Sequence, residues 1–356
     1  MKILHTSDWH LGHTLYNYDR TVEQQAFLRQ LTRIVTEEQP DAMVVSGDIY
    51  HYSSPAAATQ KMYTDAMLNI HQACPEMTIV VTAGNHDSSS KLEIDSNLWQ
   101  HFGLNVVGNI ERTAEEVNLD KHIIEINNEK KTKGYVIAVP HVYPQNFPLL
   151  DTETPRDQRQ ARFFQALLDE VKKRNTAQLP VVLMAHLSIE GSDRSGHDES
   201  IGGIEYVPLS AMGEGYDYLA LGHIHCPQDI KGSHHHARYC GTPLPVSFDE
   251  TYPHSVSIIE LEKGAEPQIS TREIENPIPL VTLPHDPTPF EDALKLLEEY
   301  PEEKPAYLRL NVLTKGYLPP DCNEKASNAA KGKACKYCYI KTTRERQADT
   351  DESKPI

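Results

Sequence analysis

The sequence has no long hydrophobic run. Of its 356 residues, 39% are hydrophobic and 24% charged, as in an ordinary globular protein, and no apolar stretch approaches the roughly 18 residues of a membrane-spanning helix. The first polar motif begins within ten residues of Met1, too early to follow a secretory segment with an apolar core of about 7 to 15 residues. We therefore expect a cytoplasmic protein with no membrane partner.

Cysteines are few and scattered. The six are Cys74, Cys226, Cys240, Cys322, Cys335 and Cys338. Without a secretory segment they argue against a disulfide framework and for reduced thiols. Cys335-x-x-Cys338 could begin a zinc site, but such a site needs four ligands, and Cys322 is the only nearby candidate. We favour a small apolar role for these thiols.

Positive charge is also in short supply. Lys and Arg number 34 against 51 Asp and Glu, for a net charge of −17. Because Lys and Arg contacts to phosphate usually supply most non-specific affinity for nucleic acid, this composition counts against such binding. Divalent cations bound in a cleft would offset the objection locally.

Apolar segments alternate between two periodicities. Short runs rich in branched residues predict buried strands at Lys2 to Ser7, Ala42 to Ser46, Thr78 to Ala83, Val181 to Ala185 and Tyr218 to Leu221. Helical spacing predicts helices at Thr21 to Glu38, Pro55 to His71 and Gln158 to Lys173, and two alternating runs, Lys121 to Ile126 and Gly134 to Val139, predict a hairpin. The order predicts an α/β fold of βαβ units.

Short polar motifs follow the predicted strands. They are Asp8-x-His10, Gly47-Asp48, Gly84-Asn85-His86-Asp87, Ala185-His186 and Gly222-His223-x-His225. In extended backbone, residues two apart point to the same side, so each x-separated pair can reach one metal cluster. Asp, Asn and His donors suit manganese, iron or zinc. Each motif alone could be a turn or cap, but their joint order predicts a two-metal phosphoesterase.

These ordered motifs resemble the calcineurin-like metallophosphoesterase superfamily. The strings Ile3 to Gly12, Ala220 to His225 and Tyr239 to Pro243 resemble one branch of it, the SbcD family of bacterial SbcCD nucleases. The resemblance extends through Ser247 to Glu250 and Lys331 to Cys335. It implies a metallophosphoesterase fold, a β-sandwich flanked by helices, with a small α+β capping domain.

The resemblance also implies an activity and partners. Members of this family are manganese-dependent DNA nucleases, with 3′–5′ double-strand exonuclease and single-strand endonuclease activities. They pair with an SMC-like ATPase, of the SbcC type, in DNA end processing, replication, recombination and repair. We accordingly expect two Mn²⁺ ions, DNA and ATPase partners, and a homodimer of the nuclease subunit.

Carried over to this sequence, the family pattern assigns a role to each motif residue. Asp8, His10 and His225 are expected to bind one metal, Asn85, His186 and His223 the other, and Asp48 both. His86 is expected to contact the phosphate and help the leaving group depart, with Asp87 orienting its ring. His51 matches a histidine that some family members place near the phosphate.

A domain boundary is expected near Asn276-Pro277. Residues 1–275 would form the nuclease domain and 276–356 the small α+β capping domain, with predicted elements at Val281 to Leu283, Phe290 to Tyr300, Tyr307 to Val312 and Asn323 to Ala330. The ATPase-docking helices of the family are expected to be absent or shortened in this chain. Basic residues of the second domain indicate a solvated face or a DNA- or partner-facing surface; they are Lys325, Lys331, Lys333, Lys336, Lys341, Arg344 and Arg346.

Two alternatives to a nuclease share these motifs. A phosphomonoesterase or cyclic-nucleotide phosphodiesterase would use the same site, because two-metal chemistry is indifferent to what the phosphate is attached to. A scaffold without catalysis would only bind the ATPase, which the intact ligand set argues against. His234-His235-His236 could suggest another metal site, but a hairpin turn is the favoured interpretation.

Overall fold

A computed structural model describes residues 1–112, 116–128, 131–196, 206–234 and 236–344. The chain divides into two compact units, Met1–Asn276 and Pro277–Ile356. This division lies one residue after the boundary expected from the sequence. In the described residues, no helix combines the length and apolar character needed to cross a bilayer.

The first unit contains two six-stranded sheets within the described residues. Its strands are β1 (Lys2–Thr6), β2 (Ala42–Ser46), β3 (Thr78–Thr82), β4 (Leu104–Val107), β5 (Ile123–Asn128), β6 (Lys131–Ala138), β7 (Val181–His186), β8 (Ser188–Ile189), β9 (Tyr206–Val207), β10 (Tyr218–Gly222), β11 (Gln228–Asp229), β12 (Ala237–Tyr239), β13 (Ser255–Glu260) and β14 (Gln268–Glu273). Its α-helices are α1 (Thr21–Glu38), α2 (Ala57–Ala73), α3 (Ser89–Leu92), α4 (Ser96–Trp99) and α5 (Arg159–Arg174).

The strand order of each sheet places the predicted motifs at one edge. One sheet runs β14-β13-β1-β2-β3-β4 and the other β11-β12-β10-β7-β6-β5, while β8 and β9 form a small separate pair. Strands β1, β2 and β3 are mutually parallel, as are β7 and β10. The carboxyl ends of parallel strands meet at the same edge of a sheet, which is where open α/β sheets place their ligand crevice.

Three apolar layers hold this unit together. In β2, Ala42 and Val44 face the other sheet, and the alternate residues Met43 and Val45 face α1 and α2. The second sheet likewise packs its outer face on α5 through residues such as Phe163. The expected β-sandwich of βαβ units flanked by helices is confirmed.

Local predictions agree with the structure except at short or polar strands. The predicted hairpin is the antiparallel pair β5 and β6. The histidine run lies in the turn between the antiparallel β11 and β12, although His235 is outside the described residues. Strand β4 was not predicted, because its four residues are too short to show a period.

The second unit is a parallel sheet with two helices. Its elements are β15 (Leu280–Thr288), α6 (Phe290–Glu298), β16 (Tyr307–Thr314), α7 (Cys322–Ala330) and β17 (Lys336–Arg344), with the strands in chain order. Cys322 and Cys335 are buried in its apolar core, as expected of small apolar thiols. Strand β17 was missed because its basic residues, including Lys336, Lys341 and Arg344, obscure the alternation.

The first prediction concerns Gly222, where the two sheets approach each other closely. A Cβ atom there would lie 1.8 Å from the Ser46 carbonyl oxygen, which is backbone and cannot turn aside. We expect Gly222→Ala to lower the free energy of unfolding by about 1–3 kcal/mol or more through overpacking. Urea denaturation followed by circular dichroism measures the change.

The matched control is Gly316→Ala, because no atom of the described residues lies within 4 Å of a Cβ atom at that position. It should change stability by less than about 0.5 kcal/mol. Equal stability of the two variants would contradict the tight approach at Gly222.

Candidate metal centre

The structure brings the predicted ligands of both sheets together at one edge of the sandwich. Asp8 and His10 follow β1, Asp48 follows β2, Asn85 follows β3, His186 ends β7, and His223 and His225 follow β10. Side-chain ligand atoms of Asp8, His10 and His225 all lie within 4.8 Å of one another, as do those of Asp8, Asp48 and His186. Because Asp8 belongs to both groups, the donor atoms from the two sheets form one continuous cluster.

Asp48 lies between the two expected ligand sets. Its Oδ2 atom is 3.4 Å from His186 Nε2 and 3.9 Å from His10 Nε2. Asn85 Oδ1 is 3.0 Å from both His186 Nε2 and His223 Nδ1, while His10 Nε2 is 3.3 Å from His225 Nε2. This geometry supports the expected division of ligands around a shared carboxylate, which stays a prediction.

Unusual backbone conformations aim the first ligands. Asp8, His10 and Asp48 have φ angles of 53°, 46° and 52°, in the left-handed region that residues other than glycine seldom occupy. The amides of Asp8 and His10 donate to the carbonyls of Gly47 and Asp48, each at 3.0 Å. The strain, of order 1–3 kcal/mol per residue, is therefore held by contacts between adjacent strand ends.

Neighbouring groups fix the ring orientation of two histidines. His186 Nδ1 donates to the Ser46 carbonyl at 2.8 Å, which leaves Nε2 as the atom that could bind a metal. His225 Nδ1 is 3.0 Å from Glu250 Oε1, and Glu250 also accepts from the Thr242 hydroxyl at 2.9 Å. Such contacts select the tautomer and raise the basicity of a metal-binding imidazole.

Charges at the centre compensate one another. Burial alone would raise the pKa of the Asp48 carboxyl. His186 and neighbouring histidines nevertheless hold that pKa well below its usual range. Conversely, the carboxylate of Asp48 raises the pKa of His186 to about 9 against the effect of burial. Burial, together with the charge of Asp48, raises the pKa of Asp8 to about 6 despite nearby histidines. The carboxylates are thus strong sites for a cation.

His86 and His51 lie side by side beside the expected ligands. Their rings stack at 5.1 Å, and His86 Nδ1 donates to the His51 carbonyl at 2.9 Å. His51 Nδ1 is 3.4 Å from His10 Nδ1. The ring of His86 is therefore oriented by a backbone carbonyl, and its Nε2 atom is left for other contacts.

The expectation that Asp87 orients His86 needs correction. The carboxylate of Asp87 accepts from the amides of Gly84, Tyr50 and Ile49 at 2.8, 2.9 and 3.1 Å. These donors use both of its oxygens, and among the described residues no hydrogen bond joins it to His86. Asp87 instead ties the loop after β3 to the loop after β2, and so acts on the position of Asp48 and Asn85.

A cavity of about 290 Å³ opens onto these groups. The described residues lining it are His10, His13, Asp48, His51, Asn85, His86, Gly196, His223, His225, Val246 and Ser247. Carboxylate, amide and imidazole donors that converge on one cavity fit divalent transition metals. His51 and His86 thus face the same cavity as the expected ligands His10, Asp48, Asn85, His223 and His225.

Sequence reasoning missed several residues near the cavity. His13 lines it, with a ring centroid 4.6 Å from that of His51 and Nδ1 3.4 Å from an Arg20 guanidinium nitrogen. His141 Nδ1 donates to the His186 carbonyl at 3.2 Å. His13 directly follows Gly12, the last residue of the string Ile3 to Gly12, and this position could have drawn attention to it. Nothing in the sequence links His141 to the site.

Comparisons with known proteins place the chain in a family. Residues 1–227 match the family model described as calcineurin-like phosphoesterase. The SbcD component of the SbcCD nuclease from Rhodobacter capsulatus is 33% identical over 84% of this chain and 75% of its own length. The same component from Escherichia coli K12 is 28% identical over 98% of this chain and 86% of its own length.

The chain belongs to the SbcD family of calcineurin-like phosphoesterases. The family model describes a phosphoesterase and the relatives are named as nuclease subunits, so this SbcD-family chain is a hydrolase acting on phosphodiester bonds, and its family points to two divalent metals. Among solved structures, a dimetal phosphatase from Danio rerio aligns with a TM-score of 0.45, at 13% identity over 78% of this chain and 97% of that one. That alignment is too distant to bear on the site.

The second prediction concerns Glu250, which contacts His225. We expect Glu250→Gln to raise the dissociation constant for Mn²⁺ about 10- to 100-fold, because the imidazole loses its carboxylate partner. Isothermal titration calorimetry measures the constant.

Asp249→Asn is the matched control, since it removes the same charge from the neighbouring, exposed position. It should bind Mn²⁺ like the unmodified protein. An equal loss in both variants would assign the effect to net charge rather than to the contact with His225.

The third prediction concerns the pH dependence of metal binding. The pKa of His186 is raised to about 9 in the metal-free protein, and only the neutral imidazole can bind a metal ion. Protons therefore compete with the metal below that pH, and affinity for Mn²⁺ should rise steadily from about pH 6 to about pH 9. Calorimetry at several pH values tests this, and a pH-independent affinity would speak against His186 as a ligand.

Proposed function

We propose that this chain is a two-metal nuclease subunit that hydrolyses phosphodiester bonds in DNA, with Mn²⁺ as its native metal. The observation that carries the proposal is the position of Asp48 between two donor sets, with His86 lining the same cavity. Relatives named as nuclease subunits cover most of the chain. The family and the geometry support a metal-dependent nuclease together.

The site residues have separate roles in the proposed hydrolysis. Asp8, His10 and His225 would hold one ion, Asn85, His186 and His223 the other, and Asp48 both. When bound, two such ions supply Lewis-acid activation of water and of the phosphate. Protonated at Nε2, His86 would donate its proton to the departing oxygen, since the His51 carbonyl already occupies Nδ1. His51 would hold His86 in place and line the path of the phosphate.

The finer activities and partners belong to this proposal too. We assign a 3′–5′ exonuclease activity on duplex ends and an endonuclease activity on single strands, carried out in the cytoplasm with an SMC-like ATPase. The names of the relatives, which are subunits of SbcCD, support such a partner. We also assign a capping role to the second unit, as the family resemblance implies.

An exposed apolar pair supports self-association of the nuclease subunit. Ile94 and Leu98, four residues apart around helix α4, are 78% and 58% exposed. Burying these side chains between two subunits would remove apolar surface from water, which favours association. We infer that they contribute to a homodimer.

The fourth prediction tests the role of His86. We expect His86→Ala to lower the cleavage rate about 10²- to 10⁴-fold, the usual contribution of a general acid, while two Mn²⁺ ions still bind. The assay follows end-labelled linear duplex and single-stranded circles in Mn²⁺, with and without the ATPase partner, and calorimetry counts bound metal.

His101→Ala is a matched control, because it removes a histidine that is exposed and lies outside the cavity lining. It should cleave at the unmodified rate. If the unmodified protein cleaves neither DNA but turns over a small phosphomonoester or cyclic nucleotide, the nuclease proposal fails and the phosphatase alternative takes its place.

A further inference from the structure

The cavity has few means of holding a nucleic acid besides metal ions. Among its described lining residues there is no lysine or arginine. The whole chain carries a net charge of −17. Non-specific affinity for nucleic acid usually comes from Lys and Arg contacts to phosphate, so another source of affinity is needed near the site.

Two exposed tyrosines lie next to histidines that line the cavity or contact its lining. Tyr52 is 52% exposed, and its ring centroid lies 4.6 Å from that of the lining residue His51. Tyr143 is 43% exposed and lies 5.0 Å from the ring of His141, which in turn stacks 6.5 Å from the lining residue His223. These edge contacts hold the rings while leaving much of their surface in solvent.

A third tyrosine is held at the tip of a tight turn. Tyr16 is 46% exposed, and its ring lies 6.2 Å from Phe248, the residue after the lining residue Ser247. The φ angles of Tyr16 and Asn17 are 48° and 67°, and Leu15 and Tyr18 exchange hydrogen bonds of 3.0 and 2.9 Å across the turn. Glycine or asparagine normally fills such a position. A bulky aromatic residue there is costly, which directs attention to function.

We propose that Tyr16, Tyr52 and Tyr143, here named the rim tyrosines, stack on unpaired bases of a single strand whose phosphate enters the cavity. This rests on the proposed nuclease function and names residues that would bind its single-stranded substrate. Every base has a π face, so aromatic side chains bind single strands without sequence preference. The rim tyrosines act on substrate binding and are not catalytic residues.

The test compares two single strands that differ only in their bases. One is an end-labelled oligonucleotide of mixed sequence, and the other has the same length and phosphates but abasic sugars throughout. For the unmodified protein in Mn²⁺ we expect a KM about tenfold or more lower for the strand with bases. Fluorescence anisotropy of the same strands on His86→Ala protein measures affinity without turnover.

Substitution of the rim tyrosines tests whether these residues cause the lower KM for the strand with bases. Each of Tyr16→Ala, Tyr52→Ala and Tyr143→Ala should raise KM for the strand with bases about 3- to 10-fold, with kcat and the KM of the abasic strand unchanged. The matched controls are Tyr16→Phe, Tyr52→Phe and Tyr143→Phe, which retain the ring face and should behave like the unmodified protein. Circular dichroism melting confirms that the variants are folded.

Two results would overturn the inference while leaving the nuclease function intact. One is equal KM and equal affinity of the unmodified protein for the two strands. The other is a rise in KM for both strands in the alanine variants, which would indicate general damage to the cavity. Hydrolysis of bis(p-nitrophenyl) phosphate without cleavage of either strand would instead defeat the proposed function.

Discussion

The close approach of β2 and β10 is the constraint on which the metal centre depends. Gly222 leaves room for the Ser46 carbonyl, which then accepts the hydrogen bond from His186 Nδ1. The Ser46 hydroxyl donates to the Ala220 carbonyl at 3.0 Å and lies 3.4 Å from His5 Nε2. His5 Nδ1 in turn is 2.9 Å from the Tyr218 hydroxyl. This buried chain joins the two sheets just below the expected ligands, so that Asp48 from one sheet and His223 from the other line one cavity.

Burying so many polar groups in one place is energetically unfavourable, and pairing between neighbouring groups offsets this. Burying a carboxylate or an imidazolium is unfavourable unless the charge is paired. Asp48 and His186 pair with each other, and Asp8 accepts from the His223 amide at 3.1 Å. A metal ion bound in place of the His186 proton would offset the same buried negative charge. The site is therefore stable enough to fold and still favours cations strongly.

Much of this architecture follows from periodicity in the sequence, and its exceptions have physical causes. Helix α1 runs from Thr21 to Glu38 as predicted, because its apolar face is long and regular. The strands that carry the expected ligands are mostly apolar, so they were predicted too. Contacts between residues far apart in the chain produce no periodic pattern in the sequence. The sequence shows Glu250 but not its contact with His225, and it places Asp87 beside His86 although the carboxylate binds loop amides instead.

The scarcity of lysine and arginine at the cavity gives metal binding a second importance. In a basic cleft, affinity for a polyanion survives the loss of a catalytic ion. Here the described lining offers imidazoles, one carboxylate and one amide, so the ions must supply the positive potential as well as the chemistry. Binding of substrate and readiness to hydrolyse it are then coupled through the same ligands. Protons that compete for His186 would weaken substrate binding and hydrolysis together. Salt would weaken substrate binding less than it does in a lysine-rich cleft, because fewer counterions are released.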